Sequence, residues 1–270
     1  MTEGIAMTIT MNDLPSAHSA HSVGARLAPL MGIVLVAFLV IGMALPVLPL
    51  HVHNGLGFSA VMVGVVAGSQ FAASLFSRVW SGQTCDNHGA KRAVMIGLAA
   101  ATIAGLLYLL SLRFTATPVP SVAILLAGRA VLGGAESFII TGATVWGLAR
   151  VGAENAGKVI AWTGTAMFAA FAGGAPLGVQ LYDRGGFAAV AAATALAPLA
   201  TMAIVAFLPV AAPEVKKAAG GMLSVARKIW LPGLGAALSS VGFGVIVSFA
   251  SLLFAGRGWM PVWLPFTSYA

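Results

Sequence analysis

The sequence predicts an all-α protein that lies within a lipid bilayer, and three observations carry the prediction. The 270 residues are 59% hydrophobic and 8% charged, with a mean hydropathy of +0.97, where a soluble domain carries about 25% charged residues. The apolar residues gather into stretches long enough to cross a bilayer as helices, for which about 20 residues suffice. No stretch alternates apolar and polar residues like a membrane-spanning strand, which leaves the helix to satisfy backbone N–H and C=O groups inside lipid. The single cysteine excludes a disulfide scaffold.

Taken in order, residues 1–25 read as a flexible polar tail. No basic stretch there leads into a short apolar run with a small-residue cleavage site, so a secretory signal is not predicted. Spans are predicted at 27–50, 59–80, 93–112, 120–147, 159–181, 187–209 and 231–254. Pro46 and Pro49 are expected to bend the first near its far end. The 33 glycines and 13 prolines suit helices that pack closely and bend inside a membrane. The longest internal polar break, 210–230, separates a six-span bundle (26–209) from a last segment (231–270) and reads as a linker. Within the six, Asp86-x-x-Gly89 after the second span is echoed by Asp183-x-x-Gly186 after the fifth, a weak sign of a three-plus-three repeat.

The basic residues orient the chain. With the N-terminus in the cytoplasm, Arg26, Arg78, Lys91, Arg92, Arg150, Lys158, Lys216, Lys217, Arg227 and Lys228 fall on the cytoplasmic side. Arg113, Arg184 and Arg257 fall on the other, and Arg129 lies within a span. This bias follows the positive-inside rule. It also accounts for the pI of about 10.2 without a nucleic-acid partner.

A few residues carry possible chemistry. The break Gly82-Gln-Thr-Cys-Asp86-Asn-His-Gly89-Ala-Lys91-Arg92 joins the second and third spans. It reads either as an ordinary turn with topology charges or as a functional contact. The fourth span holds Arg129 and Glu136. Charges inside a span are costly and mark function by default. Seven residues are about two helical turns, so the two share a face about 10 Å apart along the axis. They either satisfy each other and nearby backbone or line one cavity. Gln70 in the second span is expected to line that cavity or to bond a neighbouring helix. The fifth span carries Gly164 and Gly173-Gly174-Ala175-Pro176-Leu177-Gly178, a pattern for close packing and a bend. His51-x-His53 is half a metal site with no further ligands nearby, so no metal or other cofactor is predicted. Cys85 is expected to be an unpaired thiol. No phosphate-binding loop, zinc-protease or nucleophile-elbow motif occurs, so an enzyme is not predicted.

Three of these segments resemble, in order and on the matching helix or loop, motifs of the major facilitator superfamily. Gly82, Asp86, Gly89 and Lys91, with Arg92, match its Gly-x-x-x-Asp-Arg/Lys-x-Gly-Arg/Lys-Arg/Lys loop, while Asn87 and Ala90 stand where basic residues are usual. The resemblance implies a charge contact between two six-span halves that gates the outward-facing state. Arg129 and the Gly-rich stretch after it resemble the motif of the fourth span, whose arginine lines the central cavity and is implicated in proton coupling. Glu136-Ser137, Thr141-Gly142 and Trp146-Gly147 look like a bacterial branch of sugar or drug efflux proteins. Gly174, Pro176 and Gly178 resemble the Gly-Pro signature of antiporters, with Ala175 in place of a glycine.

The resemblance implies the six-helix N-terminal half of a major-facilitator fold plus a seventh span. It implies a proton-coupled exporter of small, sugar- or drug-like molecules working by alternating access in the inner membrane, with lipid, substrate and protons as its partners. Glu136, the only acidic residue within a span, is the expected proton carrier. A complete member has twelve spans, whereas 270 residues hold about seven or eight. The chain is therefore expected to lack most of the second half that a transport cycle needs. A non-transporting fragment is the alternative reading, with a channel or intramembrane enzyme less favoured.

Overall fold

In lipid a backbone must close its own hydrogen bonds, and the regular structure of this chain is helical throughout the described residues. The computed structural model describes the backbone of residues 17–209 and 222–270, and the side chains of 23–209, 230–235 and 237–270. The helices are α1 (Ala17–Leu50), α2 (Ala60–His88), α3 (Ala90–Ser111), α4 (Pro118–Val151), α5 (Ala156–Ala206), α6 (Met222–Ser239), α7 (Val241–Arg257) and α8 (Leu264–Tyr269). Six helical stretches among the described residues are long and apolar enough to cross a membrane. One of them, Ala153–Ala206, has 54 residues and holds two crossings. Within α5, Gly185 and Gly186 leave helical geometry, Gly186 at φ 63° and ψ −163°, and the chain doubles back. The first arm of α5 (156–184) climbs beside α1, and the second (187–206) descends beside α3.

Boundaries differ from those expected. The tail expected over 1–25 lies outside the described residues as far as 16, and from Ala17 the chain is already helical. The loop expected at 82–92 shrinks to one residue: α2 runs on to His88, α3 starts at Ala90, and only Gly89, at φ 86° and ψ 153°, breaks the helix. Glycine alone tolerates that backbone region without strain, so a polar run that reads as a loop continues as helix on both sides. Of the linker expected at 210–230, residues 210–221 lie outside the described residues and Met222 onward is helix. The seventh span, expected at 231–254 as one helix, is α6 and α7 meeting at Ser240.

Glycines set how closely the helices pack. α1 lies parallel to the first arm of α5: a side chain at Gly42 would meet Ala170 O at 2.9 Å, one at Gly174 would meet Leu39 O at 2.9 Å, and one at Gly178 would overlap the Met43 carbonyl. α2 lies parallel to α4, where a side chain at Gly133 would overlap the Gln70 carbonyl. α3 runs antiparallel to the second arm of α5, with Gly105 against Thr194 and Ala195. Taking α1–α3 as one triplet and α4 with the two arms as the other, each triplet lends its first helix to the second helix of its counterpart. The glycines of the Asp86-x-x-Gly89 and Asp183-x-x-Gly186 echo are both break points with positive φ.

Gly178→Val is expected to lower the melting temperature of the purified protein in detergent, by overpacking worth about 1–3 kcal/mol. Gly173→Ala, facing open space five residues away, is expected to leave it unchanged.

Candidate functional site

Because Gly133 brings α2 and α4 into backbone contact, the polar residues of the two helices meet across a narrow seam. On α2 these are Gln70, Ser74 and Ser81, spaced by helical turns so that they share one face. On α4 they are Glu136, Ser137 and Thr141. Gln70 Nε2 donates to Glu136 Oε2 at 2.9 Å. Ser81 Oγ donates to Thr141 Oγ1 at 3.1 Å and lies 3.3 Å from Ser137 Oγ. Gln70 and Ser81 are fully buried. A carboxylate in this setting needs hydrogen-bond donors and countercharge; the Gln70 amide supplies the first, and Arg78 and Arg129 are the nearest cations.

Glu136, Gln70, Arg78 and Ser240 form the polar part of a cavity of about 390 Å³. The rest is largely aromatic, with Phe38, Phe71, Phe168, Phe171, Phe243 and Tyr269 in its wall. Neighbouring rings sit 5.3 to 6.2 Å apart between centroids, some edge-on and some stacked. Phe243 comes from α7 and Tyr269 from α8, which is pinned to α5 where Thr267 Oγ1 donates to Ala172 O at 2.9 Å. The chamber presents ring faces together with one carboxyl and one guanidinium.

The structure brings together only some of the residues expected to work together. Gln70 and Glu136 share the cavity. Arg129 lies on the same face of α4, yet it is only 1% exposed and opens on a separate void of about 10 Å³ between α1, α2, α4 and α7. Of the motif between α2 and α3, Gly82 sits inside α2 and Gly89 makes the turn. Asp86 and Arg92 are exposed, and Asp86 has no hydrogen bond or ion pair among the described residues. Lys91 Nζ donates to Ala206 O and Leu208 O, at 2.8 and 2.7 Å, and so caps the end of α5. Gly174 and Gly178 seat α5 on α1, and Pro176 lies between them. His51 stacks on Phe187 at 4.2 Å, and His53 Nδ1 lies 2.7 Å from Phe58 O.

Sequence reasoning missed Arg78 as a cavity residue, having counted it as a topology charge. It stands seven residues after Phe71, which is the same helix face, so the spacing carried the signal. The seryl stripe of α2 was likewise present in the periodicity. The aromatic wall was not, because its rings come from five helices.

The sequence pattern that defines the Major Facilitator Superfamily matches residues 30–269. The chain is 40% identical over 226 residues to the uncharacterized MFS-type transporter YhhS of Escherichia coli K12, covering 83% of this chain and 55% of that protein. It is 37% identical over 239 residues to an uncharacterized MFS-type transporter of Salmonella typhimurium, covering 88% of this chain and 61% of the relative. An uncharacterized MFS-type transporter of Burkholderia mallei is 38% identical over 248 residues, covering 92% and 61%. The chain thus spans little more than half the length of the curated relatives it matches.

The Gln70–Glu136 bond is open to a double-mutant cycle. Gln70→Leu is expected to destabilise the protein by about 1–3 kcal/mol, because it strands a buried carboxylate, whereas Gln70→Leu with Glu136→Leu recovers most of the loss. Urea unfolding in micelles reads both.

Proposed function

The chain belongs to the major facilitator superfamily, and from that premise we propose that it is the N-terminal part of a proton-coupled exporter of small molecules. The observation that carries the reading is Glu136. It is the only acidic residue within a predicted span, it is held by Gln70 at 2.9 Å, and it faces a cavity large enough for an organic molecule. A carboxyl there holds a proton or yields it as the substrate arrives, which is what exchange requires. Six aromatic rings beside one carboxyl and one guanidinium suit an amphipathic, drug-like substrate. A sugar, which also stacks on aromatic faces, is the other candidate.

The same reading places the Gly89 end of the bundle in the cytoplasm of a cell whose inner membrane holds the protein. Lys91, Arg92, Arg150 and Lys158 gather at that end, in keeping with the positive-inside rule. Asp86, exposed beside Gly89, is then free to meet a second bundle and gate the cycle. Alternating access follows if two bundles rock about the aromatic cavity. Transport as a whole is proposed for the full-length protein, since the matched part makes up only 55% of the Escherichia coli relative's length.

The test uses full-length protein in liposomes with ethidium as the drug-like probe and a radiolabelled hexose as the sugar probe. Wild type is expected to drive one of them against its gradient when a pH gradient is imposed. Glu136→Gln is expected to abolish the pH-driven component while retaining exchange of labelled for unlabelled probe. Proton exchange at the wild-type rate in that variant sinks the role given to Glu136.

A further inference from the structure

The cations at the Gly89 end of the bundle are not used alike. Lys91 caps α5. Arg26 on α1, Arg150 on α4 and Lys158 on α5 instead converge on one corner, because Leu27 and Val159 both lie against Gly147 of α4. Arg150 Nη1 donates to Arg26 O at 3.4 Å, and its guanidinium stands 5.2 Å from the centre of the Trp146 ring. Neither contact neutralises it. Among the described residues no carboxylate pairs with any of the three cations. Glu154, which follows Arg150 by four residues and precedes Lys158 by four, is exposed, lies over Gly152 and accepts from Asn155 Nδ2 at 3.3 Å. The corner therefore carries more positive charge than its own residues balance.

A groove of about 290 Å³ opens from this corner, between α1 and the first arm of α5. It shares no wall residue with the aromatic cavity. Gly24, Ala28, Gly32 and Leu35 line its α1 side, spaced by helical turns, and Trp162 and Thr165 line its α5 side. Arg26 stands between Gly24 and Ala28 in the same turn of α1, and Lys158 lies one turn before Trp162 on the same face of α5. Trp162 is 49% exposed, and its ring comes within 3.7 Å of where a side chain on Gly24 would begin. Tryptophan settles at the headgroup level of a bilayer, which puts the mouth of the groove at the membrane surface. From Gly24 to Leu35 the groove descends about 16 Å, close to half of a hydrocarbon core about 30 Å thick. That is the depth of one leaflet. Midway down, a side chain on Gly32 would meet nothing within 4 Å among the described residues, so the groove is open where an acyl chain would lie.

We infer that this corner binds an anionic phospholipid, with its phosphate among Arg26, Arg150 and Lys158 and one acyl chain laid in the groove between α1 and the first arm of α5. The two parts of the site do different work. Lipid tails are as apolar as the groove wall, so the groove fixes where the lipid sits rather than which lipid it is. The cations select the headgroup, as basic pockets between helix ends do. The arginine forks can each face two phosphate oxygens, and the lysine adds a point charge. The site stands apart from the transport reading and does not depend on it.

Native mass spectrometry of the full-length protein released from micelles tests the site. The probes are phosphatidylglycerol, phosphatidylethanolamine with the same acyl chains, and glycerol phosphate as the headgroup alone. Wild type is expected to retain one phosphatidylglycerol about tenfold or more tighter than phosphatidylethanolamine, and to retain no glycerol phosphate. Arg26→Gln with Lys158→Gln is expected to weaken phosphatidylglycerol binding by about thirtyfold and to leave phosphatidylethanolamine binding as it was. Gly32→Leu fills the groove from a position that faces open space, and Ala28→Leu does so one turn away. Each is expected to weaken phosphatidylglycerol binding by about tenfold, with the melting temperature in lipid-free micelles unchanged. Equal retention of the two lipids, or binding of glycerol phosphate as tight as that of phosphatidylglycerol, overturns the inference. Wild-type retention in both groove variants does the same. So does a wild type that retains no lipid, the result that follows if a second bundle covers the groove.

Discussion

The site depends on how close α2 comes to α4. A carboxylate inside an apolar bundle needs a donor within hydrogen-bond reach, and Gln70 reaches Glu136 because Gly133 presents no side chain to the Gln70 carbonyl. The same approach lets Ser81 bond across the seam to Thr141. Without it, the polar faces of both helices would confront lipid or each other at a distance, with no water to fill the gap. One glycine therefore sets the polarity of the cavity wall as well as the packing of the pair.

That seam has a counterpart on the other side of the bundle. α1 meets the first arm of α5 through Gly42, Gly174 and Gly178 in the same parallel sense. The counterpart is apolar where the α2–α4 seam is polar. Two geometrically related contacts have thus been given different work. One supports the bundle and carries the aromatic side of the cavity through Phe38 and Phe171, while the other holds the ionisable group.

Most of the architecture was legible in the sequence because the physics behind it is local. Composition and run length gave the crossings, and glycine spacing in the fifth span marked a close contact that the structure contains. What was not legible depended on non-local geometry. The run from Gly82 to Arg92 looks like a loop because it is polar, yet only Gly89 leaves helical space. Arg129 and Glu136 share a face of α4 by periodicity, but whether they open on one space or two is decided by α1, α2 and α7. Lys91 reads as a topology charge and a residue of the loop motif, and its use as a cap on α5 depends on a residue more than a hundred positions away.

The exchange of helices between triplets also has a consequence for how the chain is made. α2 and α4 leave the ribosome close together, separated only by α3. α1 must instead wait for the first arm of α5, more than a hundred residues later, which at about 5–20 residues per second is on the order of ten seconds. During that interval the seam lined by Gly42 faces lipid. α1 bears this because it has the most apolar window of the crossings and its exposed backbone is already closed into helix. The order of synthesis thus places the lipid-tolerant helix first and lets the helices that carry the ionisable group find each other quickly.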